Sequence, residues 1–113
     1  MPKNYFYAFE FRHHSWFVTE IYRFCQKNNF AIVYSSNPGI WPQIEIETAS
    51  FFYLRFHGEK QLFTSSYHQT QLKKYALIIK EKLKKGLDVY GYFNNDALGY
   101  APANAQALKE MLK

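Results

Sequence analysis

Short runs of apolar, β-branched and aromatic residues alternate with amphipathic helical segments along this chain, and this alternation limits the possible folds more than any other feature. Four runs predict β-strands, at residues 5–11, 30–34, 51–56 and 89–93. Strands joined by helical crossovers run parallel, and parallel sheets are normally covered by helices. The pattern therefore predicts an α/β layer or part of a (β/α) barrel.

Three helices are expected from apolar residues at helical spacing. Ser15 is placed to cap the first helix and Asn28-Asn29 to end it, Gly86 is placed to end the second, and Pro102 suits the first turn of the third. The connection over residues 35–50 contains Asn37-Pro38-Gly39 and Pro42 and predicts a loop. The apolar stripes are Phe17, Ile21, Phe24 and Cys25; Leu72, Tyr75, Ala76, Ile79 and Leu83; and Ala105, Leu108 and Leu112.

The length and composition indicate one folded unit. The chain has 113 residues, of which 48% are hydrophobic and 20% aromatic, which is too apolar for a disordered segment. Four strands do not close a barrel, since an eight-stranded barrel usually needs about 250 residues. We therefore expect a single partial (β/α)-barrel domain over residues 1–113. The chain shows no membrane-spanning stretch and no signal peptide, which predicts a cytoplasmic protein, and Cys25 is expected to be a buried, inert thiol.

Polar residues follow three of the four predicted strands, at the edge where parallel α/β folds place their functional groups. Side chains alternate along a strand, so Glu10 shares a face with Arg12, and Arg55 shares a face with His57. The motifs are Glu10-Phe11-Arg12-His13, Arg55-Phe56-His57-Gly58 and Asn94-Asn95-Asp96. These charges are expected to converge at one end of the fold.

Such a cluster has three interpretations: a buried ion-pair network, an anion-binding site, or an unspecific surface cluster. In the second, Arg12 and Arg55 clamp an anion and a histidine exchanges protons. The candidate catalytic residues are Glu10, His13 and His57, and the candidate ligand-binding residues are Arg12, Arg55, Asn94, Asn95 and Asp96.

The sequence predicts no metal site, since no H-x-x-x-H helix or cysteine pair supports His13, His14, His57 or His68. It contains no nucleophile elbow, P-loop or dinucleotide fingerprint, so no motif supports acyl transfer, nucleotide hydrolysis or dinucleotide binding. The sequence therefore names no cofactor and does not decide whether the protein is an enzyme. Trp16 and Trp41 offer rings on which a ligand or base can stack, but packing under a loop is the commoner use of such residues and is expected here.

Positive charge suggests an alternative. Fourteen Lys and Arg against nine Asp and Glu give a net charge of +5. The lysines at positions 74, 80, 82, 84 and 85 lie towards a predicted helix end, where cations offset the helix dipole, so we expect a solvated helix end. The less favoured alternative is a noncatalytic nucleic-acid-binding surface.

Ordered motifs along the chain resemble those of the domain of unknown function 72 family, also called YecE-like. The motifs are Glu10-Phe11-Arg12-His13-His14-Ser15-Trp16, Thr48-Ala49, Tyr53-Leu54-Arg55-Phe56-His57-Gly58, Tyr67, Leu72, Tyr92-Phe93-Asn94-Asn95-Asp96 and the segment from Ala101 to Ala105. The resemblance implies the C-terminal half of a TIM-like (β/α) barrel, with four parallel strands and three helices. It implies no activity, because the family is biochemically uncharacterised.

The resemblance also implies that the other half of the barrel comes from elsewhere. We expect a homodimer or a separate N-terminal half-barrel as partner, alongside a small anionic ligand; the remaining alternative is an inactive truncated fragment. The family tends to carry acidic residues where this chain has Ser35 and Ser50.

Overall fold

A computed structural model describes residues 6–58, 67–95 and 100–113 of the chain. Within these residues, short strands alternate with helices in the order that the sequence pattern predicts. The elements are β1 (Ala8–Phe9), a 3-10 turn (His14–Trp16), α1 (Thr19–Asn28), β2 (Ala31–Ile32), β3 (Tyr34–Ser36), β4 (Phe51–Phe56), α2 (Gln69–Lys84), β5 (Asp88–Phe93) and α3 (Tyr100–Met111).

All strand pairs are parallel. β1 pairs with β2, and β3, β4 and β5 lie side by side in that order, with Leu54 opposite both Tyr34 and Gly91. Only Val33 separates β2 from β3, and its backbone N–H still donates to the Phe9 carbonyl at 2.9 Å. The chain thus passes through the sheet four times, which fits half of a TIM-like (β/α) barrel and confirms the expected fold class.

The core lies between β4 and helices α2 and α3. Phe52, Leu54 and Phe56 alternate along β4 and pack against buried Tyr75 of α2 and Leu108 of α3. The helices contribute their apolar stripes because residues three and four apart share one helix face. Large-to-small substitutions of such fully buried rings typically cost about 3–5 kcal/mol, so this face holds the fold together.

The opposite face of the sheet is concave and open. It is formed by alternate residues of β4 and β5, together with Ala8 of β1 and Phe6, which precedes β1. A groove of about 640 Å³ runs along it. We call this surface the concave face; its lining residues are Phe6, Tyr7, Ala8, Phe51, Tyr53, Arg55, Tyr90 and Tyr92.

Local sequence signals predict most element boundaries. Residues 51–56 form β4 as predicted, and β5 begins one residue earlier than predicted. Asn29 ends α1 in the left-handed conformation, with a φ of 55°, and Gly86 follows α2 with a φ of 89°. Both helix ends are therefore confirmed, and Cys25 is buried as expected, which raises the pKa of its thiol.

Three further details differ from the prediction. α1 begins at Thr19, because residues 14–16 form a 3-10 turn and the Ser15 side chain bonds to His13 instead of capping the helix. The first strand is shorter than residues 5–11, of which Tyr5 lies outside the described residues. The second strand is divided at Val33.

The prediction of a solvated lysine cluster at the end of α2 is wrong for Lys82. Its side chain is only 2% exposed and donates to Glu45 at 2.6 Å and to Glu47. The cause is the 35–50 segment, which folds back across α2 and brings both carboxylates to the lysine. Across the described ranges, no helix has both the length and the apolar character needed to span a membrane.

Candidate functional site

Glu10 is the centre of a charged cluster at the carboxyl ends of β1 and β4. Its Oε1 accepts hydrogen bonds from Arg12 Nε at 3.1 Å and Arg12 Nη2 at 2.8 Å. The same oxygen accepts from Arg55 Nη1 at 3.1 Å. Two guanidinium groups therefore converge on one carboxylate oxygen, one from the residues after β1 and one from β4.

The second oxygen of Glu10 contacts His57. His57 is buried, and its Nε2 lies 2.8 Å from Glu10 Oε2. The backbone N–H of His57 donates to the Ser36 carbonyl at 2.8 Å, which extends the pairing of β3 with β4 by one residue. Strand pairing therefore positions the imidazole against the carboxylate. We call Glu10, Arg12, Arg55 and His57 the Glu10 cluster.

The cluster keeps Glu10 ionised. Burial raises the pKa of Glu10, but the hydrogen bonds from His57 and Arg12 and the charges of His57 and Arg55 lower it further, to about 2 from 4.5. A carboxylate can only accept hydrogen bonds, so His57 Nε2 is the donor in its contact with Glu10 Oε2. This arrangement suits Glu10 to orienting its neighbours and not to donating a proton.

Trp41 packs against two members of the Glu10 cluster. The Arg12 guanidinium carbon lies 4.2 Å from the centre of the indole ring, and His57 meets the ring edge-on at 5.3 Å between centroids. Trp41 Nε1 donates to Ser35 Oγ at 2.7 Å, which anchors the ring. The sequence favours packing of Trp41 under a loop over stacking on a ligand; its contact with Arg12 depends on residues far apart in the chain.

The segment that carries Trp41 has an ordered turn. Asn37 Oδ1 accepts hydrogen bonds from the backbone N–H groups of Gly39, Ile40 and Trp41, at 2.9, 2.8 and 3.3 Å. Asparagine commonly stabilises turns in this way. Ser35 is a neutral acceptor for Trp41.

The two arginines retain access to solvent. The side chain of Arg12 is 51% exposed and that of Arg55 is 31% exposed, whereas that of Glu10 is 8% exposed. Among the described residues, Glu10 is the only ion-pair partner of either arginine. Two fixed positive charges thus face one negative charge, and the excess positive charge borders the concave face.

His13 is separate from this arrangement. Its Nδ1 accepts from the backbone N–H of Ser15 at 3.2 Å and bonds to Ser15 Oγ at 2.8 Å. Its ring stacks on His14 with centroids 4.4 Å apart, in an exposed position. The observed role of His13 is to cap the 3-10 turn.

The asparagines after β5 have mainly structural contacts. The backbone N–H of Asn94 donates to the Phe56 carbonyl at 2.7 Å, and buried Asn95 donates its side-chain amide to Asn104 at 2.7 Å. Asn104 Oδ1 also accepts from the Tyr67 backbone at 3.1 Å, so it joins α3 to the end of β5 and to the residues just before α2. The sequence does not predict this role of Asn104, because nothing in the residues around it indicates a buried polar contact. Asp96 lies outside the described residues.

Three carboxylates, from Glu45, Glu47 and Glu81, offer oxygens within 4.8 Å of one another. The Lys82 ammonium group contacts all three, so the protein supplies its own cation there. Hydrogen bonds from Lys82 and Lys85 lower the pKa of Glu47. These contacts indicate a structural ion-pair network that ties the 35–50 segment to α2.

The fold and the cluster define a class of protein: a half (β/α) barrel with charged residues gathered at the carboxyl ends of its strands. The sequence matches the family described as "Protein of unknown function DUF72" over residues 1–113. The chain therefore belongs to the DUF72 family, which confirms the resemblance noted in its motifs. No curated protein matches the chain.

Solved structures show the same fold. A DUF72 family protein from Thermotoga maritima is 31% identical, with a TM-score of 0.83, and the match covers 96% of this chain and 46% of that one. A DUF72 family protein from Enterococcus faecalis matches in two crystal structures, with TM-scores of 0.86 and 0.84 at 20% and 25% identity. These two matches cover 97% of this chain and 48% and 49% of the others. The chain thus spans about half the length of the solved structures.

Proposed function

We propose that the Glu10 cluster binds a small anionic ligand at the strand ends of a cytoplasmic half-barrel protein. Arg12 and Arg55 supply the positive charge, and Glu10 holds both guanidinium groups in place. The observation that carries this proposal is the sharing of one carboxylate oxygen by two arginines that remain partly exposed. Guanidinium groups bind phosphate and carboxylate in a planar, bidentate geometry, so both anion types suit the site.

His57 is the candidate acid or base in this site. Its contact with the Glu10 carboxylate supports a fixed ring orientation, which a proton-transferring histidine requires. Catalysis by His57, and by His13, stays a prediction. Glu10 is better suited to positioning the two arginines and His57 than to acid catalysis, because its pKa is about 2.

The proposal predicts that inorganic phosphate binds the chain and that binding depends on both arginines. We expect Arg12→Ala and Arg55→Ala each to weaken phosphate binding about tenfold or more, since each removes a charge-assisted contact of about 1.5–3 kcal/mol. Isothermal titration calorimetry at constant ionic strength measures the dissociation constant.

Arg23→Ala provides the matched control, because Arg23 is an exposed arginine of α1, away from the cluster. It should bind phosphate as the unmodified chain does. Equal losses in all three variants would mean that net charge alone attracts the anion, and binding that survives in both cluster variants would contradict the proposal. Repeating the titration with acetate separates phosphate from carboxylate specificity.

The nucleic-acid alternative has weaker support. Lys82 is buried among carboxylates, and Lys85 pairs with Glu47 at 2.9 Å and Glu81 at 3.3 Å. These contacts neutralise part of the basic cluster that motivated the alternative. A complete barrel cavity also needs a second half, and we propose another copy of this chain or a separate N-terminal half-barrel as its source.

A further inference from the structure

We infer that the concave face and the two outer strand edges bind a second copy of this chain, so that two half-barrels close into one eight-stranded barrel. The carrying observation is that, among the described residues, strand edges without a pairing strand lie on both sides of an exposed aromatic surface. Each part of this arrangement is visible in the contacts of β1, β4 and β5.

The concave face exposes large apolar side chains. Phe6 is 71% exposed, Tyr92 is 55% exposed and Tyr90 is 42% exposed. They line one continuous groove with Phe51 and Tyr53. Tyr53 stacks on Tyr92 with centroids 5.5 Å apart, so the aromatic surface is already arranged before any partner binds. Contiguous apolar surfaces of this kind mark interaction sites in proteins.

The outer edge of β5 is open. The backbone N–H groups of Asp88 and Asn94 donate towards β4, to Ser50 at 3.4 Å and Phe56 at 2.7 Å. Backbone groups alternate in direction along a strand, so Val89, Gly91 and Phe93 direct theirs away from β4. β5 pairs only with β4 within the described part of the chain. Such an edge can pair with another strand.

The opposite edge of the sheet is open in the same way. β1 pairs only with β2 in the described ranges, and the Tyr7 and Phe9 carbonyls accept from Ala31 and Val33 at 2.9 Å each. The backbone groups of Ala8, between them, therefore point outwards. A two-fold axis along the barrel axis would place β1 of one copy beside β5 of the other, with both strands running in the same direction.

The strand count supports a second copy as the occupant. Four strand passages in each copy make eight, which is the number that closes a (β/α) barrel with a filled interior. The solved relatives have chains about twice as long as this one, with 46–49% of each covered by it.

Sedimentation velocity of the 113-residue chain from about 1 to about 100 μM tests the inference. We expect a species of twice the 13.5 kDa chain mass that dissociates on dilution. A chain that stays monomeric at every concentration overturns the inference. A chain that needs a separate N-terminal half-barrel as its partner would give this result. Open-ended growth beyond the dimer also overturns it, because a closed barrel leaves no free edge.

Paired variants locate the interface. Phe6→Lys combined with Tyr90→Lys places two charges on the concave face and should raise the dimer dissociation constant by at least about 30-fold. Leu77→Lys is the matched control, because Leu77 is an exposed apolar residue on α2 and lies outside the concave face. Circular dichroism verifies that each variant folds. A dimer that is unaffected by the double substitution uses another surface and contradicts the inference.

Hydrogen exchange supplies a test that needs no substitution. The amides of Val89, Gly91 and Phe93 should be protected at concentrations that favour the dimer and should exchange faster on dilution. Fast exchange of these amides in the dimer would rule out pairing through β5. If the chain is monomeric and still binds phosphate, the dimer inference fails while the anion-site proposal stands. The two proposals can therefore fail separately.

Discussion

Glu10 combines burial with three charged or polar partners, two of which come from a distant part of the chain. Arg12 is two residues away, but Arg55 and His57 come from β4, so the cluster forms only when the strands pair. Folding therefore lowers the pKa of Glu10 to about 2. Such a shift links proton binding to folding, because the unfolded chain binds a proton more readily than the folded one.

Glu10 should make the stability of the protein depend on pH. The pKa of Glu10 is lower in the folded state, so its contribution is fully present above pH 4.5 and is lost as the pH falls towards about 2. The shift corresponds to about 3 kcal/mol of unfolding free energy. We expect Glu10→Gln to lower stability by about this amount at pH 6, and the difference from the unmodified chain to shrink as the pH approaches 2.

Urea denaturation at several pH values measures this difference. Glu110→Gln is the control, since Glu110 forms an exposed pair with Lys113 at 3.2 Å, and exposed pairs contribute about 0–1 kcal/mol. A constant difference between Glu10→Gln and the unmodified chain from pH 6 to pH 3 would show that the effect does not come from ionisation.

At the scale of elements, the sequence predicts what depends on local periodicity. The alternation in residues 51–56 predicts β4. Asn29 and Gly86 predict helix ends because asparagine and glycine tolerate a positive φ, which both residues adopt. The same alternation places Arg55 and His57 towards one face. It does not predict the contact of Trp41 with Arg12 or that of Lys82 with Glu45, since these pairs are 29 and 37 residues apart and require the 35–50 segment to fold back.

Lys82 should be essential for attaching the 35–50 segment to α2. Its pKa is lowered by burial but raised more by its hydrogen bonds to Glu45 and Glu47, and the result is a raised pKa and a charged lysine. Lys82→Met leaves two carboxylates without their buried partner. We expect a loss of about 2 kcal/mol, below the 3–5 kcal/mol of a fully buried pair, because both carboxylates remain partly exposed.

Lys80→Met tests whether the loss is specific, because Lys80 is an exposed lysine on the same helix. It should change the unfolding free energy by no more than about 0.5 kcal/mol. Adding Glu45→Gln and Glu47→Gln to Lys82→Met should recover part of the lost stability in urea denaturation. Equal losses for Lys82→Met and Lys80→Met would contradict the structural role of the buried pair.

For the whole molecule, the half-barrel places its charged cluster and its apolar surface on the same side. The Glu10 cluster borders the concave face, and Arg55 belongs to both. In the proposed two-fold dimer, two copies of the cluster would lie at one end of a shared cavity. Each cluster has an excess of positive charge, so the two repel each other unless an anion lies between or beside them.

Anion binding and dimer formation should therefore be thermodynamically coupled. If phosphate offsets the charge of both clusters, it binds the dimer more tightly than the monomer and must, by linkage, strengthen the dimer equally. We expect saturating phosphate to lower the dimer dissociation constant about five- to tenfold relative to chloride at the same ionic strength, as measured by sedimentation. The double variant Arg12→Ala, Arg55→Ala should form the dimer equally well in both salts, because it lacks the excess charge that phosphate neutralises. An identical dissociation constant in phosphate and chloride for the unmodified chain would mean that the two clusters do not interact across the cavity.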